Sequence, residues 1–143
     1  MMAASAARVV GVALASVAAL GIAFAAITWL ALESGGVAIV ETRAEDGSIR
    51  STHVWFVESD RELWLEAGSA QNPWFDDLGR VPRIAFRAEG RHGEFLAERF
   101  ADPPARARIR ALLREKYGLR DRWVGLFVDQ SRSLVVRLDP AEP

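Results

Sequence analysis

The sequence predicts a mainly β domain: a closed antiparallel barrel of six strands with one helix in its second half, preceded by an N-terminal transmembrane helix. Three observations predict it. Residues 9–32 form an apolar run without a single charge. From Gly35 onward, short β-branched and aromatic runs alternate apolar with polar residues and are separated by turns rich in Gly and Asp. Between residues 102 and 118 the period changes once, to that of a helix.

The apolar run begins at Val9 and ends at Leu32, and Arg8 is the one charge in residues 1–32. As a helix its 24 residues span roughly 36 Å, enough to cross about 30 Å of hydrocarbon with some tilt. Trp29 sits near one end, where an interfacial aromatic belongs. A cleaved signal peptide and a buried soluble helix are the competing readings. A signal's apolar core is usually about 7–15 residues, so length favours a retained single-pass anchor over residues 1–34. Arg8 weakly favours an N-terminus in the cytoplasm, with the domain of residues 35–143 outside.

The strands follow in order. "GVAIVET" (36–42) is the first, and "EDGS" (45–48) turns the chain with Asp-Gly at its centre, a hairpin signal. "IRSTHVWFV" (49–57) is the second, "SDRE" (59–62) turns again, and "LWLEA" (63–67) is the third. "RIAFRAE" (83–89) and "EFLAERF" (94–100) are the fourth and fifth, joined through "GRHG". "SLVVRL" (133–138) is the last, and the tail "DPAEP" reads as frayed. Short turns predict a closed antiparallel meander, and closure removes the exposed edges of an open sheet. The helix opens at Asp102, a capping residue followed by two prolines, and ends at Gly118. Ala105, Ile109, Leu112, Leu113 and Tyr117 share one face. Arg106, Arg108, Arg110 and Arg114 fall off it and read as a solvated surface, with an acidic partner or anionic lipid as the minor alternative. "RDRWVGLFV" (120–128) fits a turn of helix or a strand equally.

Composition narrows function. The chain has no cysteine, so disulfides, thiolate metal sites and cysteine nucleophiles are excluded. A net charge of −1 provides no basic footprint for nucleic acid. Lys116 is the only lysine among 18 basic residues, and arginine holds phosphate and carboxylate without serving as a base. No G-x-S-x-G, H-E-x-x-H or P-loop occurs.

The stretch "VAIVETRAEDGSIRSTHVWFVESDRELWL" resembles the opening hairpins of the split β-barrel flavoproteins, the pyridoxamine-phosphate-oxidase-like fold. "GSAQNPWFDDLGRVPRIAF" and "REKYGLRDRW" are similar to later blocks of the deazaflavin-dependent nitroreductase-like branch. The resemblance covers roughly residues 35–140 and is carried by spacing. It implies a split barrel, usually a homodimer, that holds FMN or the deazaflavin F420 in a groove lined by the second and third strands. Carried over by position, the cofactor residues are Arg50, Thr52 and His53, then Ala67, Gly68 and Ser69, and Trp74 in the loop. These residue types suit such a groove, since Gly68 admits close backbone approach, Arg50 with Thr52 supplies donors for a phosphate, and Trp74 covers a ring face. The first turn departs from that branch. "TRAEDG" displaces the arginine and puts Asp46 where a serine is usual, which leaves open which cofactor is held and whether one is held.

Blander readings stand beside these. An isolated His53 is more often a surface or satisfied histidine than a catalytic one. Trp55, Phe56 and Trp64 read as core, and Trp74 as core or cofactor wall. Asp76 and Asp77 read as caps of a short helix, since a metal needs more converging oxygens. Glu66 reads as a solvated acid in preference to a proton donor. Arg80 and Arg83 hold an anionic tail or keep the surface soluble. No catalytic residue is assigned. Two classes remain. One is a membrane-anchored flavin- or deazaflavin-dependent oxidoreductase that passes a hydride to a small or lipid-soluble acceptor such as a quinone. The other is a non-catalytic anchored barrel that binds a small ligand or a protein partner.

Overall fold

A computed structural model of the chain describes residues 2–33 and 35–141. The expected domain boundary at Ser34, and the end of the tail at Glu142 and Pro143, lie outside the described residues. Helix α1 (Met2–Glu33) is followed by strands β1 (Val37–Arg43), β2 (Ile49–Ser59) and β3 (Glu62–Ala67), and by the short helix α2 (Pro73–Asp77). Strands β4 (Arg83–Ala88) and β5 (Arg91–Phe100) come next, then helices α3 (Pro103–Tyr117) and α4 (Leu119–Val124). A 3-10 turn (Gln130–Arg132) leads into β6 (Leu134–Pro140).

The six strands close into an antiparallel barrel. Their order is β1-β2-β3-β6-β5-β4, which corrects the expected meander. Only the β1–β2, β2–β3 and β4–β5 connections are hairpins. The β2–β3 hairpin turns on Asp60 and Arg61, both at positive φ (56° and 69°), the twist that a tight two-residue turn requires. The chain from β3 to β4 carries α2 over the end of the barrel, so β4 lands beside β1 and not beside β3. The long helical connection from β5 then brings β6 back between β3 and β5. The tail is not frayed at its start: Asp139 and Pro140 extend β6, and the Ala141 N–H donates to the Glu94 carbonyl at 3.1 Å.

The period-two pattern sorts side chains to two faces of the barrel wall. Inward positions such as Val40, Val54, Leu63, Leu65 and Phe86 form the main core, and Trp74, Phe75 and Leu78 of the α2 segment close its end. Outward positions of β2, β3 and β6, including Val57, Trp64 and Val135, pack beneath Ile109, Leu113 and Tyr117 of α3 in a second core. Helix α3 begins as expected, with the Asp102 carboxylate accepting from the Ala105 N–H at 3.0 Å. It ends at Gly118, where φ is +52°. The ambiguous stretch after it is helical as α4 and adds a second helix to the expected one. Arg110 corrects the solvated-surface reading: it is 7% exposed.

Helix α1 is apolar on every side, and from Val9 to Ile22 its large side chains are exposed. Its run Arg8–Ala31 is long and apolar enough to cross a membrane. Near its end it packs on α4: the Phe24 ring lies 5.6 Å from Trp123 and 5.2 Å from Phe127. The Trp123 Nε1–H donates to Thr28 Oγ1 at 3.1 Å.

Candidate functional site

The alternation that builds the barrel also divides the residues carried over from the resemblance. On β2, Thr52 pairs with Val40 and Arg50 with Thr42, so both share the inward face with those buried partners. His53 and Trp55 take the outward face. On β3, Ala67 is sealed in the barrel core, whereas Glu66 points out toward α3.

The inward group is tied to α2. Asp77, 1% exposed, accepts from Thr42 Oγ1 at 2.8 Å, Arg50 Nε at 2.8 Å and Arg80 Nη2 at 2.6 Å. Burial pushes its carboxyl pKa up, but the hydrogen bonds from Arg50 and Thr42, with the charges of Arg50 and Arg80, hold it below the ordinary aspartate range. Asp77 is thus no helix cap; Asn72 occupies that position and makes no side-chain cap bond. The contact locks α2 and Trp74 onto the barrel end. Arg80 also meets Asp76 at 2.9 Å, and Arg83 meets Glu94 at 2.9 Å on the surface.

A cavity of about 280 Å³ lies on the outward side of β2 and β3, beneath α4 and the 3-10 turn. His53, Trp55, Glu66, Gly68, Trp74 and Gln130 contribute to its lining, with Val124, Val128 and Ser133. The structure therefore brings together three of the carried-over residues: His53, Gly68 and Trp74. Ser69 lies in an adjoining hollow with Gln71, Phe127 and Arg132, which shares Gly68 and Val128 with the cavity. Arg50, Thr52 and Ala67 do not line it. Trp74 both plugs the barrel end and forms a wall of the cavity, at 1% exposure.

The back wall is a buried ion network. Arg110 Nη1 donates to both Glu66 oxygens, at 2.8 and 2.9 Å, and its Nη2 donates to Asp121 Oδ1 at 2.6 Å. The Gln130 amide donates to the Asp121 carbonyl at 3.1 Å and to Oδ1 at 3.2 Å. One guanidinium thus fastens α3, α4 and β3 around the cavity, and Asp121 ties in the 3-10 turn through Gln130. Glu66 is consequently not a solvated acid. Burial raises its pKa, the charge of Arg110 and the nearby Ser133 lower it, and the second carboxylate, Asp121, adds to the rise. Trp55 stacks on Tyr117 with ring centroids 4.3 Å apart. The Tyr117 hydroxyl donates to the Gly36 carbonyl at 2.7 Å and accepts the Phe56 N–H at 3.1 Å. Burial pushes the Tyr117 pKa up to about 12. Lys116 donates to the Phe56 carbonyl at 2.7 Å, and burial, followed by the charge of Arg120, lowers its pKa to about 8.

The residues present fit a flat, partly polar ring. Four buried side-chain polar atoms lack a partner among the described residues, and two of them, Trp55 Nε1 and Ser133 Oγ, belong to this lining. Ser133 lies near enough to Glu66 to lower its pKa, yet its Oγ meets nothing with hydrogen-bond geometry. Gly68 is exposed, and a Cβ built on it would meet nothing within 4 Å. The fold therefore leaves open space where a ligand's edge would approach the backbone. The volume of about 280 Å³ lies just below the roughly 300–1,000 Å³ typical of small-molecule sites, so a ring enters only with its tail outside. Among the described residues no cluster of three or more His, Asp or Glu stands ready for a metal.

Sequence reasoning missed Arg110, Asp121, Gln130 and the valines of the α4 side. One signal was present: Arg110 stands three and seven residues before Leu113 and Tyr117, the spacing of their buried face.

No protein-family model matches the chain, and no curated protein is significantly similar to it. Solved structures share its fold. A conserved hypothetical protein of Mycobacterium tuberculosis is 23% identical, with 82% of this chain and 80% of that one covered and a TM-score of 0.59. A putative pyridoxamine 5'-phosphate oxidase of Listeria innocua is 15% identical over 78% of this chain and 89% of that one, with a TM-score of 0.55. An F420 reductase is 16% identical over 80% of this chain and 93% of that one, with a TM-score of 0.52. The chain has the split β-barrel fold of the pyridoxamine-phosphate-oxidase-like proteins.

Proposed function

We propose that this protein is a membrane-anchored oxidoreductase that uses a flavin or the deazaflavin F420, with the cofactor ring in the cavity between Trp74, Gly68 and His53. The observation that carries this reading is the cavity itself: an indole wall, an open glycine edge and unpartnered donors meet on the outward face of β2 and β3. When bound, such a cofactor supplies the hydride; the chain binds, orients and excludes water. Trp55, Val124 and Val128 offer apolar surface to the ring, with the buried Trp74 packed behind the wall. The backbone at Gly68 allows its polar edge to come close. Ser69 and Arg132 in the adjoining hollow offer a hydroxyl and a cation to an anionic tail. In this reading Arg50 acts indirectly, since its contact with Asp77 holds α2 and hence Trp74 in place, and Thr52 faces inward away from the cavity. Glu66, whose two oxygens accept from Arg110, stands in the wall beside the ring and fixes β3 against α3 there.

The anchor reading rests on α1: a helix apolar all round with exposed side chains needs a lipid environment. It favours a lipid-soluble acceptor such as a quinone. The domain boundary near Ser34 and the homodimer implied by the resemblance belong to the same reading. The test is titration of the full chain in nanodiscs with FMN and with F420, following quenching of cofactor fluorescence. Saturable binding of one of them supports the proposal. Failure of both to bind leaves the second class, a non-catalytic anchored barrel, and overturns this one.

A further inference from the structure

The ten residues that open with α4 expose an unusual amount of apolar surface for a charged domain. Leu119 is 78% exposed, Leu126 71% and Phe127 59%, with Val128 beside them. These residues adjoin α1 and form one surface with it. Trp123 and Phe127 both touch Phe24, and a shallow groove between α1 and α4 is lined by Ile27, Leu30, Leu119 and Trp123. The depth of this contact names the occupant. Phe24 stands seven residues before Ala31, the last residue of the span, so at 1.5 Å per residue it lies about 10 Å inside that end. Interfacial helices bury their apolar face about 5–10 Å into the headgroup and acyl boundary. Side chains held at the level of Phe24 therefore share its lipid layer. Composition agrees: Leu, Trp and Phe stand beside the exposed Arg122, whose long stem lets its charge reach the headgroups, while Arg120 is held by the Gly35 carbonyl at 2.7 Å.

We propose that Leu119 to Val128 is a second membrane contact, an apolar lip that lies in the same leaflet as the C-terminal end of α1 and sets the mouth of the cavity at the lipid surface. Val124 and Val128 belong to both the lip and the cavity lining, so a lipid-dissolved ligand reaches the site without crossing water. The inference rests on the anchor reading of α1 but not on the identity of the cofactor.

The chain has no cysteine, so single cysteines can be placed cleanly. Val17→Cys in α1, Leu126→Cys in the lip and Glu89→Cys in the exposed β4–β5 turn are each labelled with an environment-sensitive fluorophore. Each full-length protein is reconstituted into vesicles of phosphatidylcholine and phosphatidylglycerol and quenched with aqueous iodide or with spin-labelled lipid. The expected result is that the Val17 and Leu126 labels lose iodide quenching and are quenched by the lipid probe, while the Glu89 label does the reverse. A Leu126 label quenched by iodide like that at Glu89, with Val17 in lipid, overturns the lip and leaves the anchor standing. A Leu126 label shielded from both probes means that protein, such as a second copy, covers the lip, and overturns it as well. Iodide quenching at Val17 overturns the anchor and the lip together. Leu119→Cys repeats the measurement at a second exposed position, in case labelling at Leu126 disturbs the local fold.

Discussion

Replacing Gly68 by valine separates ligand binding from folding at one position. Trp74→Ala cannot do so, because removing a fully buried Trp from the barrel end costs about 3–5 kcal/mol and would unfold the site along with any ligand. Gly68 differs: it lies outside the core, and a side chain there meets no protein atom within 4 Å at its Cβ. Its φ is outside the left-handed region, so valine is not strained. Loss of unfolded-state freedom should make Gly68→Val equal or more stable, by up to about 0.4–1 kcal/mol. Binding should suffer, since the same branched side chain would stand where a ring edge approaches. Overpacking a filled site costs about 1–3 kcal/mol, and at 1.4 kcal/mol per decade that is roughly a 5- to 150-fold rise in Kd. The assay is fluorescence titration of the bound cofactor, paired with a thermal melt of each protein. A Kd unchanged within about twofold would refute the placement of the ring at Gly68. A melting temperature lowered by several degrees would show that the fold itself needs the glycine.

Three further outcomes follow from the charges and hydroxyls. Asp77→Ala removes the partner of Arg50, Arg80 and Thr42 and should destabilise the protein by about 2 kcal/mol in urea melts, below the roughly 3–5 of a fully buried pair because both arginines are 40% exposed. Because the folded pKa of Asp77 is depressed, its contribution is present above the unfolded value of 3.8 and lost as pH falls through the folded value, so the variant should flatten the acid limb of stability. Glu66 acts in the opposite sense. Its folded pKa is raised, so between the unfolded value of 4.5 and the folded one the native state holds more protons, and stability falls as pH rises. Glu66→Gln should abolish that slope, read from urea midpoints at successive pH values; a slope unchanged in the variant would assign it elsewhere. Tyr117 is the chain's one tyrosine, so phenolate absorbance reports it alone. Its midpoint should lie near 12 in the folded protein and return to about 10 on unfolding, with stability lost across that interval. Tyr117→Phe should cost about 1–2 kcal/mol through the lost bond to Gly36.

The strands were legible because their signals are local. Short β-branched and aromatic runs such as "VAIVE" and "LWLEA" mark the strands, and Asp-Gly or Gly near the turns states where the chain reverses. Asp102 before two prolines marked the start of α3 for the same reason, since a cap is satisfied within three residues. Three of the seven residues carried over by position, His53, Gly68 and Trp74, line one cavity. Arg50 and Thr52 were placed with them by position in the chain, but alternation from His53 turns them to the other face, and only the buried Asp77 shows what Arg50 holds.

Composition and period alone established an apolar segment long enough to span a bilayer, a barrel-forming set of strands, one amphipathic helix and the absence of thiol chemistry. These follow from short-range rules: backbone geometry, turn sterics and burial of one face. Tertiary structure decided the strand order, the burial of Arg110 between Glu66 and Asp121, and the helical state of the α4 segment against α1. Each of these depends on partners distant in the sequence. A charged side chain is stable inside only where its counter-charges converge, and a strand finds its neighbour only once the connection between them has folded.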